Sequence, residues 1–175
     1  MTGFQRQSRS YRFLKSQPLR LPDDFEPDFA ALYDVWRSHA AAGKIPGRRS
    51  IDLPDLPPGL RGVTNLITVE PADDGYDFRY RLFGSLHRMA TLAPPTGRLI
   101  GEVIPNDGFL AMMREHYTAV VTSGLPRLDR ISSSIGFEGN REIYSYDRLI
   151  LPLSLDGKTV SDLMTCSIHT PDLSL

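Results

Sequence analysis

The chain has 175 residues, a formal net charge of −1, and 41% hydrophobic and 23% charged residues. A net charge this small creates no electrostatic field that would favour binding to nucleic acid. The chain has one cysteine, Cys166, so it cannot form an internal disulfide. No apolar run reaches the ~20 residues of a membrane span, and the amino-terminus lacks the apolar core of a secretory signal. We therefore expect a cytoplasmic protein.

The amino-terminal segment is basic. Its first 22 residues contain five Lys or Arg residues and no Asp or Glu. We predict that residues 1–26 form a flexible tail, which its arginines keep soluble. The alternative is an arm that docks on an anionic partner or on the acidic patch of the protein itself, for which Phe4, Tyr11 and Phe13 would supply aromatic contacts.

An amphipathic helix is predicted over residues 27–42. Pro27 suits the first helical position, and apolar residues recur behind it at helical spacing. We interpret this helix as a cap on the domain or as a dimer or partner contact, with Trp36 as its anchor. The predicted interface residues are Phe29, Leu32, Tyr33 and Trp36. A proline-rich connector follows, and the segment of helix and connector spans residues 27–62.

Residues 63–170 are predicted to form the main domain. Alternating apolar residues and turn signals indicate five strands, at residues 63–70, 76–83, 128–135, 142–153 and 159–168. Residues 86–92 are predicted to form a short helical patch. A long amphipathic helix is expected to begin at Asn106 or Asp107, whose side chains can cap it, and to end at Gly124.

The order of these elements resembles a PAS sensor domain, of the branch found in short stand-alone bacterial proteins. The matching motifs lie at residues 32–37 (Leu-Tyr-Asp-Val-Trp-Arg), 46–52 (Pro-Gly-Arg-Arg-Ser-Ile-Asp), 78–85 (Phe-Arg-Tyr-Arg-Leu-Phe-Gly-Ser), 96–98 (Thr-Gly-Arg), 124–126 (Gly-Leu-Pro) and 151–157 (Leu-Pro-Leu-Ser-Leu-Asp-Gly). Residues 92–95 (Leu-Ala-Pro-Pro) depart from the Gly-Arg-Asp-Leu that this branch often has there. The resemblance implies an α+β fold: a five-stranded antiparallel sheet in the order 2-1-5-4-3, with helices on one face and the N-terminal helix as a cap.

A ligand in such a fold would lie between the sheet and the helices, in an enclosed and mostly apolar cavity. The predicted pocket residues are Met89, Leu92, Met113, His116, Tyr117, Ile131, Tyr144, Tyr146, Met164 and Cys166. Methionine adapts its shape to a ligand, and tyrosine adds a hydroxyl for hydrogen bonding. The alternative, which we favour slightly, is that these residues simply fill a core.

Arginines and a histidine suggest two further kinds of site. Arg79, Arg81 and Arg148 are candidates for binding a carboxylate or phosphate. The alternative, which we prefer, is that they are exposed charges or structural ion pairs with Asp77, Asp147 or Glu142. His116 lies on the inner side of the long helix and could ligate haem iron, but we treat haem as a minority hypothesis. A flavin photocycle is discounted because the short helical patch contains no cysteine.

No phosphate loop, nucleophile elbow or Cys/His metal spacing is present, so we predict no catalytic residues and no metal site. The leading hypothesis is a stand-alone sensory or regulatory protein of the PAS type that acts by binding a small apolar or anionic ligand, a signalling protein, or both, as a homodimer. The alternative is a ligand-free interaction or dimerisation module. A haem sensor and a small-molecule enzyme are the lesser alternatives.

Overall fold

The computed structural model describes residues 10–40, 43–86, 94–137 and 139–170. Its centre is a curled, six-stranded antiparallel sheet with the order β1-β4-β5-β6-β2-β3. The strands are β1 (Ser10–Pro18), β2 (Thr64–Ala72), β3 (Gly75–Leu82), β4 (Arg127–Phe137), β5 (Asn140–Ser154) and β6 (Val160–Thr170). The helices are α1 (Pro27–His39), α2 (Pro58–Arg61), α3 (Ile100–Val103) and α4 (Asp107–Ser123), and Leu53–Asp55 forms a 3₁₀ turn.

The expected five-stranded sheet of the PAS type is wrong, because the segment predicted as a tail contributes a sixth strand. β1 pairs antiparallel with β4, from Tyr11 opposite Ile135 to Pro18 opposite Asp129. Two aromatic side chains, spaced two residues apart, anchor this strand to helix α4. Tyr11 and Phe13 lie on the same face of β1, with their ring centres 5.4 and 6.1 Å from that of Phe109. The flexible tail is therefore wrong for residues 10–18.

The expectation that helices cover one face of the sheet is also wrong. One face packs against α3 and α4, and the other packs against α1 and the connector, so the sheet has a core on each side. The burial pattern of the central strand β5 is consistent with a core on each face. All residues from 147 to 154 of β5 are buried, so consecutive side chains point alternately into the two cores.

Helix α4 begins and ends as its capping residues predict. The Asn106 side chain accepts a hydrogen bond of 2.8 Å from the backbone N–H of Phe109, which confirms one of the two predicted caps. Gly124 ends the helix in the left-handed conformation, with φ of 67°, that glycine adopts without steric cost. Among the described residues, none of the helices is both long enough and apolar enough to cross a membrane.

Hydrogen bonds hold the connector after α1 to the end of the sheet. The backbone N–H of Arg48 donates to the carbonyl of Ser154 at 2.8 Å, and the N–H of Ser154 donates to the carbonyl of Pro46 at 2.9 Å. The N–H of Ile45 donates to the carbonyl of Gly157 at 3.0 Å. These bonds make residues 45–48 part of the structured body.

Candidate anion-binding cavity

A cavity of about 50 Å³ lies between α4 and the sheet. Elements that are distant in sequence form its wall: β1, β2, β3, α4, β4, β5 and β6. Aromatic residues dominate the lining, and among the described residues the charged group is one arginine. The lining residues are Tyr11, Asn65, Tyr80, Phe83, Phe109, Met113, Tyr117, Ile135, Tyr144, Tyr146, Arg148, Thr165 and Ser167.

Arg148 of β5 is the cation of this cavity, and it is only 3% exposed. Its Nη2 atom lies 2.7 Å from Nδ1 of His116, and its Nη atoms contact the sulfur atoms of Met112 and Met113. The guanidinium carbon lies 5.5 Å from the ring centre of Tyr117, a cation–π contact. These neighbours surround the cation but do not neutralise it.

The charge of Arg148 has no direct counter-ion. No carboxylate oxygen in the described part of the chain lies within 4.0 Å of its guanidinium, and its Nε has no hydrogen-bond partner there. An ionised group that is removed from water without a partner is costly. Asp129 interacts with Arg148 only at longer range, so an anion in the cavity would supply a direct counter-ion and an acceptor for Nε.

Two tyrosine hydroxyls in the wall also lack partners. The Tyr80 hydroxyl is buried and makes no hydrogen bond within the described residues. The Tyr117 hydroxyl is also buried and has no partner of good geometry there, and its polar neighbours are Thr165 and Arg148. Burial raises the pKa of Tyr80 and of Tyr146 well above the ordinary value, and it also raises the pKa of Tyr117. These phenols therefore stay protonated and can donate hydrogen bonds to an anion.

Behind Arg148 lies a buried polar cluster formed by His116 of α4 and Asp129 of β4. Nδ1 of His116 is 3.1 Å from Oδ2 of Asp129, which also accepts a bond of 2.7 Å from Nε of Arg127. Burial raises the pKa of Asp129, but the hydrogen bonds from His116 and Arg127, together with the charge of Arg148, outweigh this effect and hold the pKa below its usual range. Asp129 is therefore the ionised partner of the cluster.

Ser16 of β1 lies on the other side of the imidazole, with its Oγ 3.3 Å from Nε2 of His116. Ser16, His116 and Asp129 thus follow the order of a catalytic triad. Two features argue against that chemistry. Ser16 does not line the cavity, and the Nδ1 that would donate to Asp129 also contacts the cation of Arg148. We assign the cluster a structural role, which is to hold Arg148 in place.

The structure divides the predicted pocket residues into four groups. Met113, Tyr117, Tyr144 and Tyr146 line the cavity. His116 lies behind Arg148, and Ile131 is buried in the adjoining core. Met164 and Cys166 face the opposite core, because Thr165 between them faces the cavity and neighbouring strand residues alternate. Met89 and Leu92 lie outside the described residues.

The three predicted anion-binding arginines do not come together. Arg79 pairs with both carboxylate oxygens of Glu70, at 2.6 and 2.9 Å, and is a structural ion pair. Arg81 lies near Asp162 on the opposite face of the sheet from the cavity, so only Arg148 belongs to the site.

Three of the four predicted interface residues of α1 are covered by the protein itself. Phe29, Leu32 and Trp36 are buried against the sheet, and Tyr33 stacks on Trp36 with ring centres 5.9 Å apart. The indole N–H of Trp36 donates a hydrogen bond of 2.8 Å to the carbonyl of Pro152. Phe29, Leu32 and Trp36 therefore form core contacts, whereas Tyr33 remains half-buried at the surface.

Sequence reasoning missed several lining residues: Tyr11, Asn65, Tyr80, Phe83, Phe109, Ile135, Thr165 and Ser167. Signals for two of them were present. Tyr80 alternates with Arg79 and Arg81, so it belongs to the buried face of its strand. Tyr11 and Phe13 have the two-residue spacing of a strand, but the surrounding positive charge favoured a tail.

The remaining cofactor hypotheses find little support in the geometry. Both ring nitrogens of His116 already have neighbours, so haem iron would have to displace Ser16 or Arg148. Within the described ranges, no three His, Cys, Asp or Glu side chains cluster as metal ligands would. Burial raises the pKa of Cys166 to about 12, which keeps this thiol protonated.

Comparison with protein-family models, curated proteins and solved structures gave no match to this chain. The sequence resemblance to PAS proteins therefore stays a prediction.

Proposed function

We propose that this protein binds a small organic carboxylate in the cavity between α4 and the sheet and acts by binding rather than by catalysis. The observation that carries the proposal is the buried guanidinium of Arg148, which faces the cavity with no carboxylate of the described residues within 4.0 Å. A regulatory role, in which the bound state is recognised by a signalling protein or a second copy of the chain, extends the same proposal.

The donors around the cavity fit a carboxylate. The Nε of Arg148 and the hydroxyl of Tyr80 are donors without acceptors within the described residues, and Tyr117 adds a third hydroxyl, whose polar neighbours are Thr165 and Arg148. A carboxylate has two oxygens with about four lone-pair sites, so it can accept from all three. Hydrogen bonds between charged partners are roughly twice as strong as neutral ones.

The size of the cavity limits the ligand. Since one water needs ~10–15 Å³ of such space, about 50 Å³ holds roughly three to five waters. That is the size of a short-chain carboxylate such as propionate. The aromatic and methionine side chains of the wall would contact the alkyl part of such a ligand.

Thermal and chemical unfolding with propionate, and with propionamide as a neutral control of similar shape, tests the proposal. Propionate at a hundred times its dissociation constant should stabilise the protein by ~2.7 kcal/mol, and propionamide should have little effect. Arg148→Met should abolish the stabilisation, whereas Arg98→Gln, an exposed arginine outside the cavity, should keep it. Equal stabilisation of the wild type and Arg148→Met, or no effect of any short carboxylate on the wild type, would refute the proposal.

A further inference from the structure

A groove of about 620 Å³ lies on the other face of the sheet, between the connector after α1 and strands β2, β3 and β6. Its floor includes Leu66 and Met164, and its rim includes Arg48, Arg49 and Arg81. The groove has the volume of a typical small-molecule site, ~300–1,000 Å³, and it is separate from the cavity that contains Arg148.

Arg48 and Arg81 both form loose ion pairs with the carboxylate of Asp162. Nε of Arg48 is 3.4 Å and Nη1 of Arg81 is 3.7 Å from the same oxygen, Oδ1 of Asp162. Both distances exceed those of a good hydrogen bond, ~2.7–3.2 Å. Asp162 already accepts bonds from Thr68 at 3.2 Å and Ser161 at 2.8 Å. Most guanidinium donors of Arg48 and Arg81 therefore remain available.

The third arginine has no partner at all within the described ranges. Arg49 is exposed and forms neither a hydrogen bond nor an ion pair there. Among the described residues, Asp52 is the carboxylate that lines the groove, and Asp162 lies beside Arg48 and Arg81. Three cations therefore have two anions near them. The groove thus has an excess of positive charge above an apolar floor.

The backbone fixes the positions of these cations. Arg48 is tied to β5 by the 2.8 Å bond from its N–H to the carbonyl of Ser154, and Arg49 follows it directly in the chain. Arg81 lies in β3. Because the cations come from ordered elements, little backbone ordering would oppose binding.

We propose that this groove binds a small phosphate monoester that carries an apolar group. The phosphate dianion would bind among Arg48, Arg49 and Arg81, whose planar donor forks match phosphate oxygens, and the apolar group would contact Leu66 and Met164. A dianion suits this site better than a carboxylate because it offers three acceptor oxygens to three guanidinium groups. The proposal is independent of ligand binding in the cavity.

Isothermal titration calorimetry with phenyl phosphate as the probe tests this inference, with inorganic phosphate and phenol for comparison. The wild type should bind phenyl phosphate more tightly than either fragment. Arg49→Gln should weaken binding by about tenfold or more, since it removes charge-assisted hydrogen bonds. Its exposed side chain has no partner in the described part of the chain, so this variant should fold normally. Arg81→Gln should weaken binding similarly.

Two controls locate the site. Arg98→Gln removes an exposed arginine outside the groove and should leave binding unchanged, as should Arg148→Met in the cavity. Absence of phenyl phosphate binding, or equal binding by the wild type and Arg49→Gln, would overturn the proposal. Loss of binding in Arg148→Met alone would assign the ligand to the cavity and also overturn it. Inorganic phosphate that bound as tightly as phenyl phosphate would overturn the apolar subsite.

Discussion

Nδ1 of His116 lies 2.7 Å from Nη2 of Arg148. The same nitrogen lies 3.1 Å from Oδ2 of Asp129. One ring nitrogen therefore faces a cation on one side and an anion on the other, and it cannot accept from the first and donate to the second at once. Asp129 is the negative group that makes this crowded arrangement stable.

We expect Asp129→Asn to destabilise the protein by about 3 kcal/mol or more, the usual cost of removing one partner from a buried charged cluster. Urea unfolding at pH 7 measures the change. The matched control is Asp34→Asn, which breaks an exposed pair with Arg37 and should cost less than about 1 kcal/mol. Equal losses in the two variants would show that the buried cluster contributes no more than a surface ion pair.

Lowering the pH should reduce the difference in free energy of unfolding between the wild type and Asp129→Asn. Since the folded-state pKa of Asp129 is lowered from 3.8, its stabilisation is complete above that value and is lost as the pH falls through the folded-state pKa. Unfolding of both proteins between pH 7 and pH 3 should therefore show converging stabilities at the acid end. A constant difference over this range would contradict the ionised state assigned to Asp129.

Without ligand, Tyr80→Phe should be neutral or mildly stabilising, because the hydroxyl that it removes has no hydrogen-bond partner among the described residues. Tyr11→Phe is the comparison, since it loses the hydrogen bond between the Tyr11 and Ser133 hydroxyls and should cost about 1 kcal/mol. Denaturant unfolding measures both. With propionate present, Tyr80→Phe should show less ligand stabilisation than the wild type. A clear loss of stability in the ligand-free variant would mean that the hydroxyl is already satisfied.

Trp36→Ala should lower stability by about 3–5 kcal/mol without changing the oligomeric state. The side chain is 7% exposed and its indole donates to Pro152, so truncation leaves a cavity and an unpaired carbonyl. Unfolding and light scattering after size exclusion measure the two effects. Arg37→Ala, next to it on the exposed side of α1, serves as the control. A dimer that dissociates in Trp36→Ala while stability is retained would restore the interface hypothesis.

Cys166 should react with thiol reagents only when the protein unfolds. Its pKa of about 12 leaves roughly one thiolate in ten thousand at pH 8, and the side chain is 1% exposed. Reaction with an aromatic disulfide reagent, with and without urea, measures this protection. Rapid labelling of the native protein would show that the core between the sheet and α1, which contains Cys166, opens readily.

Local sequence patterns determined where several elements of this protein lie. Alternation of apolar and polar residues located strands β2 to β6, and Asn106 and Gly124 marked the limits of α4, because capping and pleating depend on neighbours in the chain. The charge of the amino-terminal segment hid β1, since basic side chains suit both a solvated tail and an exposed sheet edge.

Only the tertiary structure decided which side chains share a site. A shift of one residue moves a strand side chain to the opposite face, so Thr165 lines the cavity while Met164 and Cys166 do not. Arg148 gave no local sign that it would be buried without a carboxylate, because its surroundings come from β1, α4 and other strands. The identity of Arg148 determines its charge and its hydrogen-bond donors. The packing of elements that are distant in sequence determines that these donors lie in a buried cavity.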